Sequence, residues 1–185
     1  MRVLGIAGSL RKDSWNRKLL LAAAELLPED VELEIWDGLK AVPPYDEDDD
    51  GHPAPPPVAA LREAIAAADA VLVATPEYNG SVPGQLKNAL DWASRPFATN
   101  VLRFKPAVVV GASTGAFGAV WAQAELRKVL STIGARVIEG DVALGHAPER
   151  FDDEGRLVDE EALGQLAEVL DGLVTAAMPR VAVAA

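Results

Sequence analysis

A polar stretch directly after the first apolar run carries several groups that can bind an anion. This stretch, residues 8–16 and here called the first turn, holds two hydroxyls, an amide and two cations. The run before it is typical of a buried strand, and apolar residues recur at helical spacing after it. The stretch is therefore predicted to lead from a strand into a helix, whose N-terminal N–H groups and dipole favour a phosphate. The alternative is an ordinary capped helix with a few solvated charges.

Four side chains of the first turn are candidate phosphate ligands: Ser9, Arg11, Ser14 and Asn16. The hydroxyls and the amide can donate hydrogen bonds to phosphate oxygens, and the Arg11 guanidinium can add a charge-assisted bond. The glycine spacing matches neither a dinucleotide-binding turn nor a Walker loop. A single terminal phosphate therefore suits this turn better than a pyrophosphate.

A second polar segment, residues 75–84 and here called the second loop, contains two prolines and two glycines. Such a loop presents backbone N–H and C=O groups in fixed directions, which suits the polar edge of a flat heterocycle such as a flavin. Tyr78 could pack on the ring plane, or it could be a plain surface aromatic. Glu77 is predicted to form a structural ion pair, and a general acid or base role is the lesser alternative.

A third polar segment, residues 113–118 and here called the third turn, follows another buried apolar run. Its small residues would allow close approach to the other side of a bound ring. The alternative is a plain helix start that Ser113 or Thr114 caps. Of the two tryptophans beside these turns, Trp121 is expected to pack in the core, and Trp15 is left open between ligand and core.

Composition limits the possible classes of function. The chain has 185 residues, half of them hydrophobic, which suits a single domain over residues 1–185. The net charge of −11 argues against a nucleic-acid partner. The sequence has no cysteine and two histidines, so thiol chemistry is excluded and no metal site is expected. No signal-like or bilayer-length apolar segment is evident, so we expect a cytoplasmic protein without a membrane partner.

Apolar strands and amphipathic helices alternate along the sequence. Strands are predicted at 2–7, 31–36, 70–74, 106–111 and 136–139, the last with a possible continuation at 142–143. Helices are predicted at 15–27, 58–68, from 83 onward, at 119–133 and at 159–176. The long segment 37–57, with its acidic run 46–50, is predicted to be an irregular, solvated loop.

This alternation predicts an α/β fold. We expect a flavodoxin-like three-layer sandwich with a five-stranded parallel sheet in the order 2-1-3-4-5. In that fold, ligands bind beyond the carboxyl ends of the strands. The first turn, the second loop and the third turn should therefore meet at one crevice.

Three blocks of the sequence resemble the NAD(P)H-dependent FMN reductase family, which includes quinone, chromate and azo-dye reductases. The first block is Gly8-Ser9-Leu10-Arg11-x-x-Ser14-x-Asn16. The second begins with Pro76-Glu77-Tyr78-Asn79-Gly80 and continues to Asp91-Trp92. Gly111-Ala112-Ser113-x-Gly115, followed by residues 121–127, is similar to the third. The resemblance covers residues 2–140.

The resemblance implies that the protein binds FMN without a covalent bond. It assigns the FMN phosphate to Ser9, Arg11, Ser14 and Asn16, the isoalloxazine ring to Pro76, Glu77, Tyr78, Asn79 and Gly80, and the flanks of the ring to Ser113 and Gly115. It also implies a homodimer or a homotetramer.

The reaction that the resemblance implies is ping-pong. Hydride passes from NADPH or NADH through N5 of FMN to a small oxidant such as a quinone, chromate, an azo compound or free flavin, with no catalytic residue from the protein. The alternative is a flavodoxin-like electron carrier or a redox-responsive FMN-binding module, neither of which needs a nicotinamide site.

Overall fold

The chain builds one parallel sheet from strands that alternate with helices. The strands are β1 (Arg2–Ala7), β2 (Glu32–Trp36), β3 (Ala70–Thr75), β4 (Pro106–Ala112), β5 (Arg136–Val137) and β6 (Ala143–Leu144). The α-helices are α1 (Trp15–Leu26), α2 (Pro56–Ala67), α3 (Gly84–Ala93), α4 (Val120–Ile133) and α5 (Glu160–Ala177). The computed structural model describes residues 1–51 and 53–178, so His52 and the C-terminal residues 179–185 lie outside the described residues.

The sheet order is β2-β1-β3-β4-β5, and every pairing between strands is parallel. The predicted flavodoxin-like order is therefore confirmed. The predicted fifth strand, however, is split into two short pieces. Arg136 pairs with Pro106, and Ala143 pairs with Gly111 further along the same neighbour. Between the two pieces, α5 comes so close to Gly140 that a Cβ there would lie 2.4 Å from the Val169 side chain.

Helices cover both faces of the sheet. Along β3, Leu72 packs toward α1 and α5, while Val71 and Val73 pack toward α2, α3 and α4. Because successive strand side chains point to opposite faces, a fully buried strand such as β3 must be apolar throughout. The result is the predicted three-layer arrangement. β2 lies at the edge and is only half-buried, as its alternating pattern predicted.

The long segment between β2 and α2 is more tightly anchored than its composition predicted. Leu39 and Val42 are buried, and their carbonyls both accept hydrogen bonds from the side-chain amide of Gln85 at 2.8 Å. In the acidic run, Asp50 forms an ion pair with Arg62 at 2.8 Å, and both side chains are largely buried. The segment is largely irregular and residues 46–49 are exposed, as predicted, whereas its anchoring by long-range contacts with α2 and α3 was not predicted.

The described residues contain neither a helix that could span a membrane nor a cluster of metal-ligating side chains. Over residues 1–51 and 53–178, no helix is both long enough and apolar enough to cross a bilayer. Within the same ranges, no three metal-ligating side chains gather as they would around a metal ion.

Candidate functional site

The first turn, the second loop and the third turn meet at the carboxyl end of the sheet, after β1, β3 and β4. They enclose a crevice of ≈ 90 Å³. Eight of the predicted site residues line it: Ser9, Arg11, Ser14, Asn16, Pro76, Glu77, Tyr78 and Ser113. The remaining three, Asn79, Gly80 and Gly115, belong to the same segments but lie outside this lining.

The first turn keeps most of its hydrogen-bond donors available. Ser14 is the N-cap of α1, and its Oγ accepts the N–H of Arg17 at 3.3 Å. Ser9 Oγ accepts the N–H of Arg11 at 3.4 Å. Since each hydroxyl acts here as an acceptor, its own O–H remains free to donate. The Arg11 side chain is exposed at the rim. These groups form a donor set suited to an anion.

Asn16 has a structural role that its sequence context did not predict. Its side chain is buried, its Nδ2 donates to the carbonyl of Ala112 at 2.9 Å, and its Oδ1 accepts the Ala112 N–H at 2.9 Å. This pair of bonds fastens α1 to the end of β4. Only the second Nδ2 hydrogen and the backbone N–H of Asn16 remain for a phosphate.

The second loop ends in a tight reversal. Tyr78 and Ser81 exchange two backbone hydrogen bonds of 3.2 Å, and Asn79 and Gly80 between them have left-handed φ values of 55° and 72°. The Tyr78 backbone is therefore used within the loop, while its ring is 52% exposed. Among the described residues, the backbone N–H groups of Glu77, Asn79 and Gly80 have no acceptor.

Two carboxylates clamp the second loop onto α4. Glu77 accepts the N–H groups of Trp121 and Ala122 at 3.0 Å each, so it caps the helix, and the predicted ion pair was wrong. Glu125 accepts the Ser81 hydroxyl at 2.6 Å and the Val82 N–H at 3.1 Å. These bonds, led by that of Ser81, hold the pKa of Glu125 below its ordinary value. No local sequence signal pointed to Glu125, since it lies 44 residues after Ser81.

Several polar groups and glycines of the third turn form hydrogen bonds or close contacts within the protein. Ser113 donates its N–H to the carbonyl of Leu144 at 3.0 Å and accepts the Gly115 N–H on its Oγ at 3.1 Å. A Cβ on Gly118 would lie 2.1 Å from the backbone of Ala143, whereas a Cβ on Gly115 would make only an ordinary contact, at 3.6 Å from Ser113 Oγ. The third turn is therefore pressed against β6 at Gly118, while Ser113 and Thr114 line the crevice.

Trp15 and Trp121, which lie beside the first and third turns, differ in burial and in their packing partners. Trp121 is 53% exposed and packs edge-on against Phe117, with ring centroids 5.0 Å apart, so the core prediction was wrong. The buried face of α4 consists of Ala122, Gln123, Leu126, Leu130 and Ile133, and Trp121 lies off that face. Trp15 is half-buried and packs against Phe151, with ring centroids 5.3 Å apart. The Lys18 ammonium lies over the Trp15 ring, 4.2 Å from its centroid.

Known proteins match this chain over most of its length. The model of a family described as NADPH-dependent FMN reductase matches residues 1–149. An NAD(P)H-dependent FMN reductase from Pseudomonas aeruginosa is 42% identical over 174 residues, covering 94% of this chain and 93% of that protein. A 2-hydroxy-1,4-benzoquinone reductase from a Burkholderia species is 38% identical over 172 residues, covering 92% and 93%.

A solved structure agrees with these sequence matches. The flavoenzyme NAD(P)H:(acceptor) oxidoreductase FerB from Paracoccus denitrificans superposes with a TM-score of 0.86 at 36% identity, covering 95% of this chain and 96% of that one.

Proposed function

Because the chain belongs to the NADPH-dependent FMN reductase family, we propose that it passes electrons from NADPH or NADH to a small acceptor in a ping-pong reaction on bound FMN. The protein is an oxidoreductase of the NAD(P)H-dependent FMN reductase and quinone reductase type. The observation that carries the proposal is the crevice in which all three polar segments meet. The named relatives are reductases, which favours an enzyme over an electron carrier.

The first turn fits the phosphate of FMN. Ser9 and Ser14 each have an O–H to donate, and Arg11 offers an exposed guanidinium. The N–H groups of Trp15 and Asn16, in the first turn of α1, have no acceptor among the described residues, as is usual at a helix start. All of these groups are donors, and the helix dipole adds a favourable field for an anion.

The second loop fits the polar edge of the ring. Unused N–H groups at Glu77, Asn79 and Gly80 would stabilise negative charge on a bound heterocycle, because fixed donors need no reorganisation. The clamp by Glu77 and Glu125 holds these donors in place. FMN, when bound, supplies the ring that takes a hydride from NAD(P)H and gives electrons to the acceptor. The chain then serves to position the ring.

The shape of the crevice supports an alternating order of binding. The three polar segments line a single crevice of ≈ 90 Å³, so NAD(P)H and the acceptor would reach the bound ring there in turn. Glu77 is the single carboxylate in the lining, and two helix N–H groups hold it in place. We therefore assign no acid or base to the chain. Quinones are the first acceptors to test, followed by chromate, azo compounds and free flavin.

The order of binding is testable in half-reactions. The FMN-loaded enzyme is mixed anaerobically with NADPH or NADH and no acceptor, and flavin absorbance is followed. We expect full bleaching, release of the oxidised nucleotide, and recovery of the band when a quinone is added. Initial rates with varied nucleotide and quinone should give parallel double-reciprocal lines. Intersecting lines, with no bleaching before the quinone is present, would contradict the proposal.

We also propose that the enzyme acts as a homodimer or homotetramer in the cytoplasm. Exposed apolar side chains in the second loop, in the third turn and at the start of α4 support self-association: Tyr78, Phe117, Val120 and Trp121. Light scattering should show that Phe117→Ser with Trp121→Ser lowers the molar mass. The matched control is Phe104→Ser, which is 75% exposed and lies just before β4, and which should leave the mass unchanged. A monomeric native protein would contradict the proposal.

A further inference from the structure

A basic groove lies beside the first turn, toward the edge strand β2. Its cavity of ≈ 330 Å³ is lined by four cations, Arg11, Lys12, Arg17 and Lys40, and by one carboxylate, Asp37. The whole chain has 28 acidic and 17 basic residues. A local excess of positive charge on so acidic a protein raises the local concentration of anions.

Three of the four cations are not neutralised. The Arg17 guanidinium forms an ion pair with Asp37, which is the carboxylate that lines the groove. Among the described residues, Arg11, Lys12 and Lys40 form no ion pair, and all three side chains are exposed. Since the proposed function assigns Arg11 to the FMN phosphate, the charges of Lys12 and Lys40 are available to a second ligand in the groove.

The groove continues into the crevice. Leu10 and Arg11 also line a neighbouring cavity of ≈ 370 Å³, whose other walls include Tyr78 and Pro83 of the second loop. Tyr78 in turn lines the crevice. A long ligand can thus run from the second loop across Leu10 to Lys40, past the carboxyl ends of β3, β1 and β2, which lie about 4.8 Å apart from strand to strand.

We infer that this groove binds the adenosine 2′-phosphate of NADPH through Lys12 and Lys40. The inference rests on the proposed function, because hydride transfer to a ring held by the second loop requires the nicotinamide to lie beside that loop. The partly buried Trp36 and the buried Leu39 offer the adenosine an apolar wall. NADH carries a hydroxyl in place of this phosphate, so the groove makes NADPH the preferred electron donor.

The first test separates NADPH from NADH. In Lys12→Gln with Lys40→Gln, kcat/KM for NADPH should fall about tenfold, the cost of one lost charge-assisted bond, while that for NADH changes less than about twofold. The matched control, Lys128→Gln with Arg103→Gln, removes two exposed charges from other parts of the surface and should change neither value. Equal losses with both nucleotides would overturn the inference.

A binding measurement tests the groove independently of turnover. Calorimetry of the FMN-loaded protein should show tighter binding of adenosine 2′,5′-bisphosphate than of 5′-AMP, and the Lys12, Lys40 variant should lose the difference. Competition by inorganic phosphate at equal strength would instead indicate a general anion patch and overturn the inference.

The same preparations distinguish this inference from the proposed function. FMN affinity should be unchanged in the Lys12, Lys40 variant, and a loss there would assign the groove to the FMN phosphate and overturn the inference. If neither nucleotide reduced the wild-type enzyme, the proposed function would fail, while the bisphosphate titration would still decide whether the groove recognises a 2′-phosphate.

Discussion

The first turn and the third turn have similar compositions but pack differently against the rest of the fold. Both follow a buried strand, both contain serine and glycine, and both lead toward a helix. In the first turn, the hydroxyls of Ser9 and Ser14 and the N–H groups at the start of α1 remain able to donate. In the third turn, the backbone N–H of Ser113 and the Cα of Gly118 contact β6.

The comparison shows that two turns of similar composition can differ in packing. Gly118 leaves no room for a Cβ against β6, whereas the first turn borders the crevice with the hydroxyls of Ser9 and Ser14 and the Arg11 guanidinium. The Ser113 hydroxyl accepts one N–H, as the Ser9 hydroxyl does, and keeps its own O–H to donate. Substitutions should therefore affect FMN binding at Ser9 and Arg11 and folding stability at Gly118.

The largest effect is expected at Gly118. Its φ of +56° is unfavourable for a side chain, and a Cβ would meet the Ala143 backbone at 2.1 Å. Gly118→Ala should lower the free energy of unfolding by about 3 kcal/mol or more, measured by urea denaturation. Gly115→Ala, in the same turn but with room for a Cβ at ordinary contact distance, should change it by less than about 0.5 kcal/mol. Equal effects would remove the distinction between packed and open positions.

The second effect concerns FMN affinity. Ser9→Ala with Arg11→Ala removes one neutral and one charged donor, which should weaken FMN binding about 100-fold, or roughly 3 kcal/mol. Flavin fluorescence titration measures this value. Ser113→Ala is the comparison variant, because it removes a single neutral donor, whose oxygen accepts the Gly115 N–H at 3.1 Å, and the loss should stay below about tenfold. A larger loss in the comparison variant would reverse the roles of the two turns.

A substitution at Asn16 tests whether this residue of the first turn stabilises the fold. Asn16→Ala breaks both buried hydrogen bonds with Ala112 and should destabilise the FMN-free protein by about 2 kcal/mol. Ser9→Ala should leave the stability of the FMN-free protein nearly unchanged, because its only bond in the turn is long, at 3.4 Å. Thermal unfolding without flavin distinguishes the two. Unchanged stability in the Asn16 variant would return Asn16 to the set of pure phosphate ligands.

The smallest effect is the pH dependence of the clamp on the second loop. The pKa of Glu125 is lowered from its ordinary 4.5 by hydrogen bonds from Ser81 and Val82. Its stabilisation is therefore fully present above that pH and is lost as the pH falls through the lowered pKa. The difference in Tm between wild type and Glu125→Gln should be constant near neutral pH and shrink in acid. A difference that grows on acidification would contradict this sign.

The fold could be predicted because it depends on patterns that are local in sequence. Apolar strands alternating with helices predicted the parallel sheet and its order, and the first turn was located from its donors alone. The errors concern contacts between distant residues. Asn16 meets Ala112 across 96 residues, and Glu77 reaches α4 across 44, so no local pattern marks either contact. Trp121 was misassigned because its exposure depends on how α4 is rotated against the sheet.

The most direct test of the role of the first turn compares FMN with riboflavin, which lacks the phosphate. Affinities of both flavins are measured for the wild type and for Ser9→Ala with Arg11→Ala. The account predicts that wild type binds FMN about 100-fold more tightly than riboflavin, and that the variant loses most of this preference while its riboflavin affinity stays the same. An equal preference for FMN in both proteins would place the phosphate elsewhere and contradict the account.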